Sequence, residues 1–273
     1  MKPLPVALAA TLHDATGALR REIGWALPRL RAMYASIAVT TSPPTSRRLV
    51  ADLRDAGIHG GTPAANIRGP LYRLAVREAV RANAAAVHYL DFDRALHWLR
   101  VAPREYRAVV RVALKHPALL IGRTEKAHAS HHRPLWATEV VANRLMADHL
   151  GMRGRVDFLA PSFVLTPPAA RELVRRSRAR DDDVYGEWAA LVPGLAPELA
   201  YIECRGLDWE TPDRHRRAVR RMGLATWRRK QETPKEWALR TALAARIVGG
   251  FERTRRRTPG TPRLVRLRPR AVR

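Results

Sequence analysis

Two aspartates one residue apart, Asp91 and Asp93, stand directly behind an apolar run over residues 85–90. A run of that length predicts a buried strand. In open α/β sheets, ligands bind just beyond the carboxyl ends of such strands. Two carboxylates converging there suit one hard cation, Mg2+ or Mn2+, which keeps its other positions for phosphate oxygens and water. The ion then neutralises a diphosphate leaving group. Away from a strand end, the same Asp-x-Asp is only a pair of solvated loop acids.

Other residues carry weaker signals. Arg123 follows a second apolar run, 118–122. Its guanidinium suits bidentate contact with a diphosphate, and in a chain with 45 arginines a surface place is the plain alternative. His13-Asp14 ends the first apolar run, where Asp14 either caps the next helix or meets a nucleotide. Gly60-Gly61 lacks the Lys-Ser/Thr of a phosphate-binding loop and reads as a turn. Glu139 opens a helix expected over 138–150. The helix dipole keeps it ionised there, as a cap or as a candidate catalytic acid. Adjacent His131 and His132 diverge in most local structures, which argues against zinc. Cys204 sits in an apolar run and reads as inert.

The elements that must position these residues alternate between apolar runs and helical periods, the pattern of a layered α/β domain. Strands are expected at 6–12, 36–41, 85–90, 118–122, 156–159 and 199–204. Helices are expected at 18–34, 45–57, 67–83, 104–115, 138–150 and 167–178. Beyond residue 210 come a basic helix near 214–222 and a helix from 234 to 251. On the latter, Leu239, Leu243, Ile247 and Phe251 form an i, i+4 stripe. Residues 253–273 are Arg/Pro-rich without period and read as disordered.

The formal charge of +25 invites a nucleic-acid reading, but it is uneven. Residues 211–273 hold 20 basic and 4 acidic residues, whereas residues 1–210 hold 30 and 21. Only five of the basic residues are lysines, so arginine-rich coding accounts for part of the excess. With a single cysteine no intramolecular disulfide forms, and no apolar run nears the ~20 residues that cross a bilayer. The expectation is a cytoplasmic protein, peripheral to a membrane if its basic end binds anionic lipid.

The order strand–helix–strand–helix–loop–helix–strand–Asp-x-Asp resembles the nucleotide-binding half of GT-A glycosyltransferases, particularly family 2-like enzymes. Asp91-Phe92-Asp93-Arg94 and Ile121-Gly122-Arg123-Thr124 also resemble uncharacterised bacterial glycosyltransferase-like proteins. The resemblance implies a GT-A-like mixed sheet flanked by helices over 1–210, a basic helical extension over 211–252 and a tail over 253–273. It implies nucleotide contacts from Thr11, His13 and Asp14 after the first strand, and from Thr41 and Ser42 after the second, where the usual base-binding Asp is missing. Asn66, Arg68 and Arg94 fall at further contact positions. Asp91 and Asp93 become ligands of Mn2+ or Mg2+. Asp183 or Glu187, in the acidic island that follows the sheet, becomes the general base, with capping by Asp183 as its alternative. The implied activity is metal-dependent sugar transfer from a nucleotide-sugar to a saccharide, lipid-linked or small-molecule acceptor. The competing expectation is a catalytically silent domain whose basic end binds an anionic membrane or nucleic acid. Nucleic acid is the weaker of these, because stacking aromatics are sparse there.

Overall fold

The first apolar run becomes β1 (Leu4–Leu12), which has no solvent-facing side from residue 6 onward. Such a strand belongs inside a sheet covered on both sides. β1 pairs in parallel with β2 (Tyr34–Thr41) on one flank and β3 (Ala86–Leu90) on the other. β4 (Ala118–Arg123), β6 (Glu198–Cys204) and β7 (Arg263–Arg266) run in the same direction, while β5 (Ser162–Leu165) lies antiparallel between β3 and β4. The computed structural model, which describes residues 2–258 and 263–267, gives one seven-stranded mixed sheet in the order β2-β1-β3-β5-β4-β6-β7.

Side chains alternate across the strands and build a core on each face. From β1, Ala7 and Ala9 meet α3 (Arg68–Val80), α7 (Arg133–His149), α8 (Pro167–Arg176), α9 (Asp183–Leu191) and α12 (Pro234–Arg255). Val6, Leu8, Ala10 and Leu12 meet α1 (Arg20–Arg31), α2 (Arg47–Asp55), α4 (Phe92–Val101) and α5 (Pro103–Ala113). The architecture is α/β with helices on both faces, compatible with a Rossmann-like fold. No described helix is long and apolar enough to cross a membrane.

The structure departs from the sequence expectation in several places. Residues 156–159 are buried but form no strand; the antiparallel strand is Ser162–Leu165. The cause is Asp157, whose carboxylate takes the backbone N–H of Arg123 at 2.9 Å and of Leu159 at 3.2 Å. The local backbone is thereby satisfied through a side chain instead of a ladder. The helix expected from 138 begins at Arg133, capped by the His132 side chain, which accepts from Leu135 N–H. Glu139 therefore lies inside the helix and caps nothing.

The basic extension is packed on the body. Ile247 and Phe251 of the stripe are buried and Leu243 partly so, although Leu239 stays half-exposed. Gly186 of α9 and Gly250 of α12 meet at the crossing, where a Cβ on either glycine would strike the other helix's backbone. Nor does disorder begin at 253. Residues 253–255 finish α12, and Arg263–Arg266 add a parallel edge strand to β6. Backbone pairing of this kind requires no apolar pattern, which is why composition concealed it. The rest of the expected tail, 259–262 and 268–273, lies outside the described residues.

Candidate functional site

β1 and β3 deliver their carboxyl ends to one cleft of about 270 Å3. Asp91 directly follows β3, and α4 starts at the very next residue. Asp93 is thus in the first helical turn, where the macrodipole favours a carboxylate. Thr11 Oγ1 donates to Asp91 Oδ1 at 2.6 Å, and the Tyr89 hydroxyl reaches the same oxygen at 3.2 Å. Arg94 Nε stands 4.0 Å from Asp91 Oδ2. Asp93 Oδ2 accepts from Arg214 Nη2 at 2.6 Å. Burial, joined by the negative charge of Asp93, pushes the Asp91 carboxyl up to about 6; Arg94 and Thr11 offset only part of this.

Further into the cleft, Arg94 Nη1 is 3.7 Å from Glu210 Oε2, and His131 Nε2 is 3.8 Å from the same oxygen. All three atoms are buried and without hydrogen-bond partners. His131 Nδ1 faces the carbonyls of Ala127 and His128, so its proton belongs on that nitrogen and Nε2 is left as an acceptor. Glu210 belongs to the segment after β6, which His97 pins to α4. His97 Nε2 meets Asp208 at 2.8 Å and Nδ1 meets Asp213 at 2.7 Å. Burial opposes its charge, yet these two carboxylates raise the imidazole to about 9. The pin holds Asp213, and with it the neighbouring Arg214, over the cleft.

The expected site residues divide. Thr11, His13, Arg68, Asp91, Asp93, Arg94 and Glu139 all line the cleft. His13 Nδ1 bonds Ser42 Oγ at 2.7 Å, and burial together with Arg214 and Arg68 lowers its pKa. Arg68 pairs with Asp182. Asp14 does not cap α1, which starts at Arg20; its buried carboxylate takes the N–H groups of Ala18 and Leu19 and braces the turn that precedes the helix. Thr41 is buried beside His59 and Thr62, Ser42 reaches the cleft only through His13, and Asn66 is exposed outside it. Arg123 is no diphosphate ligand. It is fully buried, with Nε at 2.7 Å and Nη2 at 2.9 Å from the Asp157 carboxylate.

Of the three expected catalytic acids, only Glu139 lines the cleft. Asp183 and Glu187 line a separate pocket beyond α9, away from Asp91. Asp183 accepts from Arg253 and from the N–H of Asp181. Glu187 accepts from Ser177 and from the N–H groups of Arg178 and Ala179, so it braces a loop. Glu139 reaches the cleft, but Arg123 at 2.6 Å and His128 at 3.1 Å hold the same oxygen. Burial would raise its carboxyl, and those partners keep it below the usual range.

Sequence reasoning missed Glu210, Arg214 and Arg240, which line the cleft from far along the chain. No periodicity ties them to β3; the only signal was the density of arginine after residue 210. Among the described residues, no group of three or more His, Cys, Asp or Glu side chains is arranged to hold a metal. Asp91 and Asp93 therefore stand as a pair. The chain matches no known family model, and no curated protein matches it in sequence.

Proposed function

We propose that the chain transfers a sugar from a nucleotide-sugar donor to a hydroxyl acceptor, using the GT-A-like arrangement that its sequence resembles. One observation carries this reading: Asp91 and Asp93 share a single cleft with four guanidiniums, those of Arg68, Arg94, Arg214 and Arg240. Acids alone suit a cation and arginines alone suit an anion; side by side they suit a cation held against a diphosphate. The donor set fits a divalent ion, because burial and the neighbouring negative charge of Asp93 make the charge of Asp91 costly. Asp91 and Asp93 would hold Mn2+ or Mg2+, which supplies charge neutralisation at the diphosphate.

The chain's own residues account for the rest. Arg214 and Arg240 face the phosphates from the C-terminal wall. Glu210 is a cleft carboxylate whose Oε2 takes no hydrogen bond and faces only Arg94 at 3.7 Å and His131 at 3.8 Å, whereas Glu139 is held by Arg123 and His128. On that ground Glu210 replaces Asp183, Glu187 and Glu139 as the proposed proton acceptor. The acceptor hydroxyl passes its proton to the Glu210 carboxylate as its oxygen bonds the anomeric carbon. The bond from that carbon to the diphosphate breaks, and the electron pair leaves with the phosphate oxygen.

Calorimetric titration of UDP and GDP with and without Mn2+, on the native protein and Asp93→Asn, tests this reading. The native protein should bind at least one diphosphate more tightly with the metal. Asp93→Asn should lose that enhancement at an unchanged melting temperature. A native protein that binds no nucleoside diphosphate under any metal condition would overturn the proposal.

A further inference from the structure

Residues 216–230 carry seven basic residues and no acidic one. They form α10 (Arg216–Met222) and α11 (Leu224–Lys230), joined at Gly223, where φ is 80°. The two helices bury only Trp227, whose ring lies 5.1 Å from Trp209 and 5.3 Å from His215. Arg216 pairs with Glu22. Arg217, Arg220, Arg221, Arg229 and Lys230 are exposed, and among the described residues none of them meets a carboxylate. Leu224, at the start of α11, is 51% exposed. The cleft is adjacent, for Thr211 and Arg214 just before α10 line it, and so does Arg240 beyond α11.

This cluster is not the chain's average arginine excess, since residues 1–210 offset 30 basic residues with 21 acidic ones. Apart from the anchors at Trp227 and Arg216, these helices present a bare leucine and a uniformly cationic face that meets no carboxylate among the described residues. We infer that α10 and α11 dock the protein on an anionic lipid surface and set the cleft mouth against the bilayer, where the acceptor is lipid-anchored. An anionic leaflet attracts each nearby Lys or Arg, and an exposed Leu inserts at the headgroup boundary. Single-stranded nucleic acid would require aromatic faces for stacking, and the one aromatic here is already buried. The inference rests on the sugar-transfer reading only for the nature of the acceptor; the docking itself needs no nucleotide.

The experiment is vesicle flotation of the whole chain, without nucleotide, on phosphatidylcholine alone and on phosphatidylcholine mixed with phosphatidylglycerol. The native protein should float with the anionic vesicles alone, and less as salt rises. Arg217→Glu/Arg220→Glu/Arg221→Glu should reduce binding by about tenfold or more, and Leu224→Asp by a smaller factor, with melting temperatures close to native. Absence of anionic preference, or a triple variant that floats like the native chain, would overturn the inference. So would tighter binding to DNA than to vesicles at equal phosphate concentration, lost in the same triple variant. Flotation and nucleotide titration are separate readouts, so failure of docking and failure of sugar transfer are told apart.

Discussion

Two acid pairs lie beside the carboxyl ends of β3 and β4, and their charges are handled in opposite ways. Asp157 and Glu139, beside the end of β4, share one buried guanidinium, that of Arg123. Asn143 Nδ2 adds a bond to Asp157 at 2.9 Å. Burial would raise the Asp157 carboxyl, but Arg123 holds it far below the usual range. Asp91 and Asp93, at the end of β3, lack a central cation of that kind. Arg94 stands off at 4.0 Å, Arg214 touches only Asp93, and the Asp91 carboxyl rises to about 6. Carboxylate pairs beside the ends of β3 and β4, which β5 separates, thus give a brace in one case and, in our proposal, a receptor in the other. What separates them is whether the fold itself supplies the countercharge.

The largest break in that comparison should come from Arg123→Ala. It leaves two carboxylates buried without their cation, and the loss should be about 3–5 kcal/mol of unfolding free energy in a denaturant titration. Asp93→Asn, on the partly exposed pair, should change the same quantity by less than about 1 kcal/mol.

Exchanging carboxylate for amide at two positions in the cleft sharpens the contrast. Glu210→Gln should lower sugar transfer by about a hundredfold or more while leaving donor binding intact. Glu139→Gln should act chiefly on stability, because it removes a partner of Arg123. Transfer rates and melting curves for both variants decide this, and equal effects on transfer would remove Glu210 from its role.

Asp91 and Asp157 should also respond to pH with opposite sign. Asp91 is raised from 3.8 to about 6, so the stability it contributes is complete below pH ~4 and is lost as pH rises through about 6. Asp91→Asn should therefore raise the melting temperature at neutral pH and leave it unchanged near pH 4. Asp157 is depressed, so its contribution persists at neutral pH and declines only as pH falls below the ordinary carboxyl range. Asp157→Asn should accordingly be destabilising at neutral pH. Melting temperatures of both variants across pH 4–8 test the signs.

The smallest effect is expected from Arg214→Ala, which frees Asp93 from a partly exposed partner. Stability should fall by about 1 kcal/mol or less. Mn2+ alone should bind more tightly, as read by calorimetry, since one competing cation is gone.

The sequence made the β1–β3 half of this site legible, because contiguous apolar runs end at His13 and Asp91 and the acids follow directly. It misplaced the antiparallel strand, since 156–159 are as apolar as a strand, whereas Ser162–Leu165 is four residues long and closely flanked by Pro161 and Pro167. The pairing of Arg123 with Asp157 spans 34 residues, and that of Asp93 with Arg214 spans 121. Neither leaves a local period, so one arginine reads as a phosphate ligand and the other as part of a basic helix. Asp183 and Glu187 had the right residue type at a plausible place. Which side of α9 they face depends on packing that composition does not carry.

β7 bears on how the protein is made. It is synthesised after every other described strand, yet it covers the flank of β6, from Glu198↔Arg263 to Tyr201↔Arg266. Until it arrives, β6 is a bare edge, the kind of backbone that recruits strands from other chains. The residues that emerge in the meantime, from 211 onward, are overwhelmingly cationic. Incomplete chains therefore repel one another through the period in which they are most adhesive. A chain ending before Arg263 should scatter more light as salt is added, because screening removes the repulsion and leaves the edge exposed.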